Sequence, residues 1–153
     1  MLFERYNDNP ILRPNPTHPH EAVGIFNPAA AMHGNKIYLV YRALSKSNVS
    51  SLCLAVSSDG YNFTKHKNNP IITPAKTLHE KGGCEDPRIT KIGDTYYLLY
   101  TSYNGKQPVT AQTINESLAT STDMVHWKKE GVIVKGEKSA TLYSEKIDGN
   151  YVL

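Results

Sequence analysis

The chain has 153 residues, 39% of them hydrophobic and 20% charged, so it can bury one real core and is neither disordered nor fibrous. A net charge of +3, with lysines scattered along the chain, argues against a nucleic-acid binder, which carries clustered basic residues on one face. There is no run of about 18 apolar residues for a membrane helix. Met1-Leu-Phe-Glu-Arg5 does not read as a signal peptide, and Cys53 and Cys84 fit neither a disulfide framework nor a zinc spacing, so a cytoplasmic setting is expected.

In chain order, Asn9-Pro-Ile-Leu-Arg-Pro14 comes first and recurs 60 positions later as Asn69-Pro-Ile-Ile-Thr-Pro74. Gly24-Ile-Phe-Asn-Pro-Ala-Ala-Ala31 then places a polar residue before a proline. Lys36-Ile-Tyr-Leu-Val-Tyr-Arg42 reads as an inner strand, β-branched and aromatic, apolar on both faces and introduced by Gly34-Asn35. Leu54-Ala-Val-Ser-Ser-Asp-Gly-Tyr-Asn-Phe63 reads as a strand, a turn whose Asp accepts bonds from the amides that follow it, and a closing aromatic. Glu80-Lys-Gly-Gly-Cys-Glu-Asp-Pro-Arg-Ile-Thr90 leads into the next blade, with Ile89 expected to open its inner strand. Thr95-Tyr-Tyr-Leu-Leu-Tyr-Thr101 then copies Lys36–Arg42: Gly34 and Gly93, Tyr38 and Tyr97, and Tyr41 and Tyr100 each stand 59 apart. Leu118–Trp127 copies Leu54–Phe63 at a shift of 64, so Ser117–Thr120 reads as strand although it alone could tempt a helical reading. Ile147–Leu153 starts the pattern a third time at Gly149.

Self-similarity every ~60 residues, with several short strands per unit, predicts an all-β propeller, because one unit cannot bury both its faces and must stack on neighbours in a ring. The chain is expected to supply about two and a half blades, with residues 1–153 as the N-terminal portion of a single propeller domain truncated at its C-terminal end. The alternative is a small sandwich of two similar sheets.

Four places could carry chemistry. Glu85 and Asp86 stand side by side after two glycines that permit close backbone approach; in extended backbone they point to opposite sides, one into a cleft and the other free to pair with Arg88 or cap the turn. Asn27-Pro28 is the repeat partner of Asp86-Pro87, 59 residues earlier, so two blades present a polar side chain at one radial position. Arg42 breaks the repeat, because its partner is Thr101. Lys138 opens the matching segment before the third strand. Each has a plainer reading as a surface turn, an ion pair or a solvated lysine. His18 and His20 lack metal-ligand spacing and read as loop residues, and no phosphate-cradling Gly loop, dinucleotide fingerprint or GxSxG elbow is present.

Phe26-Asn-Pro-Ala-Ala30, Tyr41-Arg-Ala43, Ser57-Ser-Asp-Gly60, Gly83-Cys-Glu-Asp-Pro-Arg-Ile-Thr90 and Leu142-Tyr-Ser-Glu-Lys-Ile147 resemble, in order, glycoside hydrolase family 130. The resemblance implies a five-bladed β-propeller that acts on β-mannosides, mostly by phosphorolysis. It puts the catalytic acid at Asp86, mannosyl contacts at Asn27 and Arg42, and phosphate binding at Lys138, and Arg88, two residues after Asp86, is taken as a further substrate-binding candidate; Ser144 stands where the family has proline. It implies inorganic phosphate as co-substrate, no metal or organic cofactor, and inversion to α-mannose 1-phosphate, with the Asp acting through a sugar hydroxyl. A phosphorylase needs only the acid, whereas an inverting hydrolase needs a second carboxylate to activate water. The partners implied are a β-mannoside oligosaccharide and phosphate, with homo-oligomerisation left open. Further phosphate and sugar groups are expected in later blades, so the isolated chain is expected to be inactive. A hydrolase of the same fold, a non-catalytic sugar-binding propeller and a furanoside-cleaving five-bladed family are the competing readings.

Overall fold

A computed structural model describes residues 4–153; of the Met1–Arg5 segment that does not read as a signal peptide, the first three residues lie outside the described residues. After a short 3-10 helix at Pro19–Glu21, eight strands follow: β1 Gly24–His33, β2 Lys36–Leu44, β3 Ser50–Ser57, β4 Thr64–Lys65, β5 Gly83–Ile92, β6 Thr95–Tyr103, β7 Ile114–Ser121 and β8 Lys128–Lys135. The first four form one antiparallel meander and the last four another. The two are stitched by one parallel pairing, Ser50 with Gly83. Two four-stranded blades set side by side, followed by the start of a third, are propeller architecture rather than a sandwich.

Local chemistry explains the meanders. Gly34 and Gly93 adopt φ of 57° and 59°, the positive φ demanded by the two-residue hairpins β1–β2 and β5–β6. At the third-strand turns, Asp59 Oδ1 accepts the amides of Tyr61 and Asn62, and Asp123 Oδ1 accepts those of Val125 and His126. Ser117–Thr120 lies within β7.

Both apolar runs are second strands of their blades, not inner ones. The strands ahead of them, β1 and β5, meet across the seam, and β5 begins at Gly83, well before Ile89. The runs are apolar on both faces because alternate residues serve different neighbours. Val40, Leu52 and Leu54 join Cys84, Tyr96, Leu98 and Tyr100 in a core between the blades. Tyr41, Ala43, Cys53 and Ala55 face the other way, against Leu12, Ile25 and Phe63.

A buried polar cluster also repeats. Glu21 accepts bonds from Lys65 Nζ at 2.6 Å, Tyr41 Oη at 3.3 Å and the Asn15 amide at 3.2 Å. In the next blade Glu80 accepts from Lys129 Nζ, Tyr100 Oη at 2.7 Å and the Ala75 amide at 2.7 Å. Both glutamates are buried. Burial alone would push their carboxyls up, but the lysine, amide and tyrosine bonds outweigh it and hold both below the usual carboxylate range. Each cluster ties a segment preceding the blade to its second strand and to the lysine at its outer strand. His18 and His20 lie against the first: their nitrogens and a Glu21 oxygen come within 4.8 Å of one another, although His20 belongs to the 3-10 helix rather than a loop. Glu21 is already engaged by Lys65.

Candidate active site

The site forms where β1 and β5 begin. Pro28 and Pro87 have no N–H to give the ladder, and the pairing of each strand breaks around them, between Phe26 and Ala29 and between Glu85 and Arg88. The residue before each proline turns left-handed, Asn27 at φ 47° and Asp86 at φ 49°. Asn and Asp tolerate that region better than other side chains. The bulge re-aims both side chains toward the space between the blades.

There they meet. Asn27 Nδ2 donates to Asp86 Oδ1 at 2.8 Å. Arg42 reaches across from the end of β2: one terminal nitrogen lies 3.2 Å from Asp86 Oδ1 and the other 2.7 Å from Glu85 Oε1. Its Nε donates to Ser50 Oγ at 2.9 Å, and its guanidinium lies 4.8 Å over the Phe26 ring. The side chains of Arg42, Glu85 and Asp86 are each 18% exposed, so the ion pairs are largely shielded yet reachable.

Alternation in extended backbone would send Glu85 and Asp86 to opposite sides. The bulge cancels that alternation, and one guanidinium bridges both carboxylates. Neither pairs with Arg88, whose guanidinium instead donates to the Pro87 carbonyl at 2.9 Å. Burial pushes the Glu85 carboxyl up; Arg42 opposes this, while the charge of Asp86 adds to it. Lys138 is exposed, and its charge also acts on Glu85. The structure thus brings Asn27, Arg42 and Asp86 into direct contact, leaves Lys138 exposed with only its charge acting on Glu85, and leaves Arg88 turned to its own backbone.

The two glycines are explained by contact. A Cβ on Gly83 would lie 2.7 Å from the Ser50 nitrogen, and one on Gly82 would strike the Gly105 backbone. The close approach is therefore between chain segments, and Gly83 seats Ser50 beside Arg42 and Glu85.

Sequence reasoning missed Ser50 and Glu116. Glu116 is fully buried on β7, paired in register with Thr101. Its signal was present: it takes the position that Leu52 holds one repeat earlier, a break of the kind that exposed Arg42.

The comparisons show which family the chain is similar to. The family model described as beta-1,4-mannooligosaccharide phosphorylase matches residues 3–153. A beta-1,2-mannobiose phosphorylase of Thermoanaerobacter sp. (strain X514) is 36% identical over 97% of this chain and 52% of its own length. Among solved structures, a putative glycoside hydrolase from Parabacteroides distasonis superposes with a TM-score of 0.81 at 31% identity, over 97% of this chain and 52% of that one. Another, reported as showing that the GH130 family of mannoside phosphorylases contains glycoside hydrolases that target beta-1,2 mannosidic linkages in Candida mannan, gives 0.84 at 30% identity, over 96% and 50%. The chain spans about half the length of these relatives. It belongs to glycoside hydrolase family 130.

Proposed function

We propose that the protein carrying this chain is an inverting β-mannoside phosphorylase with Asp86 as its acid. The observation that carries this reading is the convergence of Asn27 and Arg42 on Asp86 Oδ1. Both donors sit on one oxygen and orient the carboxyl, and no protein donor bonds Oδ2 among the described residues. Oδ2 is then the oxygen that holds the transferable proton. Asp86 gives this proton, through a mannosyl hydroxyl, to the glycosidic oxygen as the bond to the anomeric carbon breaks. Phosphate attacks that carbon from the opposite face, which inverts it and yields α-mannose 1-phosphate. Asn27 and Arg42 hold the mannosyl unit, Arg88 can add to this only with the donors not spent on the Pro87 carbonyl, and Lys138 offers its ammonium to phosphate, without metal or organic cofactor. The reaction belongs to the ring completed around these blades, in the cytoplasm.

Phosphate as nucleophile suits a site in which the second carboxylate is occupied. Glu85 lies against Arg42 and near Ser50 Oγ, so it is poorly placed to activate water. Hydrolysis is the second reading, favoured by the hydrolases reported within the family. It requires a base from outside this pair.

The test is α-mannose 1-phosphate release from β-1,2- and β-1,4-mannosides, with and without phosphate, by the full natural protein carrying these residues. Phosphate-dependent release that Asp86→Asn abolishes supports the reading. Free mannose released without phosphate moves the protein to the hydrolases, and no turnover of any mannoside overturns both.

A further inference from the structure

Two departures from the repeat, 24 residues apart in sequence, answer each other in space. In the first two blades the left-handed residue precedes a proline: Asn27-Pro28 and Asp86-Pro87. The third copy lies 53 residues beyond the second. Gly136 donates to Ile114 O at 3.1 Å, at the repeat positions of Gly83 and Ser50. Ser139 has φ 64° and stands at the position of Asp86. Lys138 therefore occupies the position of Glu85, and Ala140 replaces the proline.

A proline has no N–H to satisfy; Ala140 has one, in half-buried surroundings. The strand facing the turn has changed to match. Leu52 pairs with Arg42 in blade one, and at the corresponding register Glu116 pairs with Thr101. Glu116 Oε2 accepts the Ala140 N–H at 3.2 Å. Its Oε1 and the Oγ1 of Thr101 are both buried without a protein partner. Burial pushes the Glu116 carboxyl up to about 7, against the opposing effect of the Ala140 and Ser139 amides and of Arg88.

We infer that Glu116 is a positioning residue: its carboxyl pins the Ser139–Ala140 turn and thereby holds the adjoining Lys138 in place. The consequence for phosphate rests on the reading of Lys138 above. Thr90 Oγ1, donating to Leu142 O at 2.6 Å, is a second anchor for the same segment. Together the two anchors hold a cation in place on a stretch that carries almost no buried side chains of its own.

The experiment compares Glu116→Leu, Glu116→Gln, Ala140→Pro and the double variant E116L/A140P in the full natural protein. It reads amide exchange at Ala140 in the variants that keep the alanine, and separate KM values for phosphate and mannoside in all four. Glu116→Leu is expected to speed Ala140 exchange and to raise the KM for phosphate about tenfold, the size of one lost charge-assisted hydrogen bond, with mannoside KM changed less than about twofold. Glu116→Gln keeps an acceptor and stays near wild type in both. The double variant restores the leucine and proline that stand at the equivalent positions of the preceding seam, Leu52 and Pro87, and regains the phosphate KM that Glu116→Leu loses. Ala140 exchanging as slowly in Glu116→Leu as in wild type overturns the inference, and so does a double variant no better than Glu116→Leu. Faster exchange with an unchanged phosphate KM upholds the pinning by Glu116 and removes Lys138 from the phosphate site, so the two readings fail separately.

Discussion

Asn27 and Asp86 hold the same position in successive blades, 59 residues apart, and their side chains touch at 2.8 Å. A repeat that keeps its backbone geometry can vary one side chain per copy, and here it sets an amide against a carboxylate. The third position holds Ser139, again left-handed. Three neighbouring blade entrances thus present three different polar groups on one backbone device.

Asp86→Asn is expected to lower turnover about 10²–10⁴-fold, the range for losing a positioned general acid, while leaving mannoside affinity nearly unchanged. Product release at saturating substrate, beside a binding isotherm, separates the two effects. Equal loss of binding and turnover would make Asp86 a holding residue instead.

Arg42→Lys keeps the charge but not the fork. One ammonium cannot bridge Glu85, Asp86 and Ser50 as the guanidinium does. Stability should fall by about 1–3 kcal/mol, because two shielded carboxylates lose part of their compensation. Mannoside KM should rise with it. Chemical denaturation and initial-rate kinetics check both.

Lys129→Met strips the cation from buried Glu80, and Lys65→Met does the same to Glu21. Each should cost about 3 kcal/mol at neutral pH, since a buried carboxylate loses its lysine and keeps only its tyrosine and amide donors. The pH dependence has a definite sign. Glu21 and Glu80 sit below their ordinary range in the folded state, so their contribution is present above the unfolded value of 4.5 and lost as pH falls through the lower folded value. Melting curves of the wild type should therefore drop in acid, and those of the lysine variants should drop less.

Glu116 predicts the opposite slope. Its carboxyl titrates near 7 folded against 4.5 unfolded, so the folded state holds the extra proton between those values. The stability it allows is complete below about pH 4.5 and lost as pH rises through about 7, by roughly 1–3 kcal/mol. Glu116→Gln should remove this loss, gaining on the wild type between pH 5 and pH 8 in denaturant titrations. A constant difference across that range would show that Glu116 does not titrate there.

Gly83→Ala tests the seam. A Cβ 2.7 Å from the Ser50 nitrogen, on a residue at φ 139°, forces the blades apart or strains the backbone. A loss of about 2–4 kcal/mol is expected, with weaker substrate binding as Ser50 shifts against Arg42 and Glu85.

The sequence by itself determined the architecture. Repeats carry their own alignment, so Gly34 with Gly93 and Tyr41 with Tyr100 disclosed the blades, and the Ser/Thr-Asp turns disclosed their third strands, because turn chemistry is local. It also singled out Asn27, Arg42 and Asp86, since a polar residue before proline and a cation breaking a repeat are visible without coordinates. Only the tertiary structure decided which side chains meet. The bulges at Pro28 and Pro87 overturn strand alternation, so Glu85 and Asp86 share Arg42 instead of dividing between cleft and surface, and Arg88 turns to its own backbone. Glu21 and Glu80 pair with lysines 44 and 49 residues away. Glu116 reaches an amide on the next blade. Such pairings depend on where a ring of sheets brings distant strands together, and no local pattern encodes that distance.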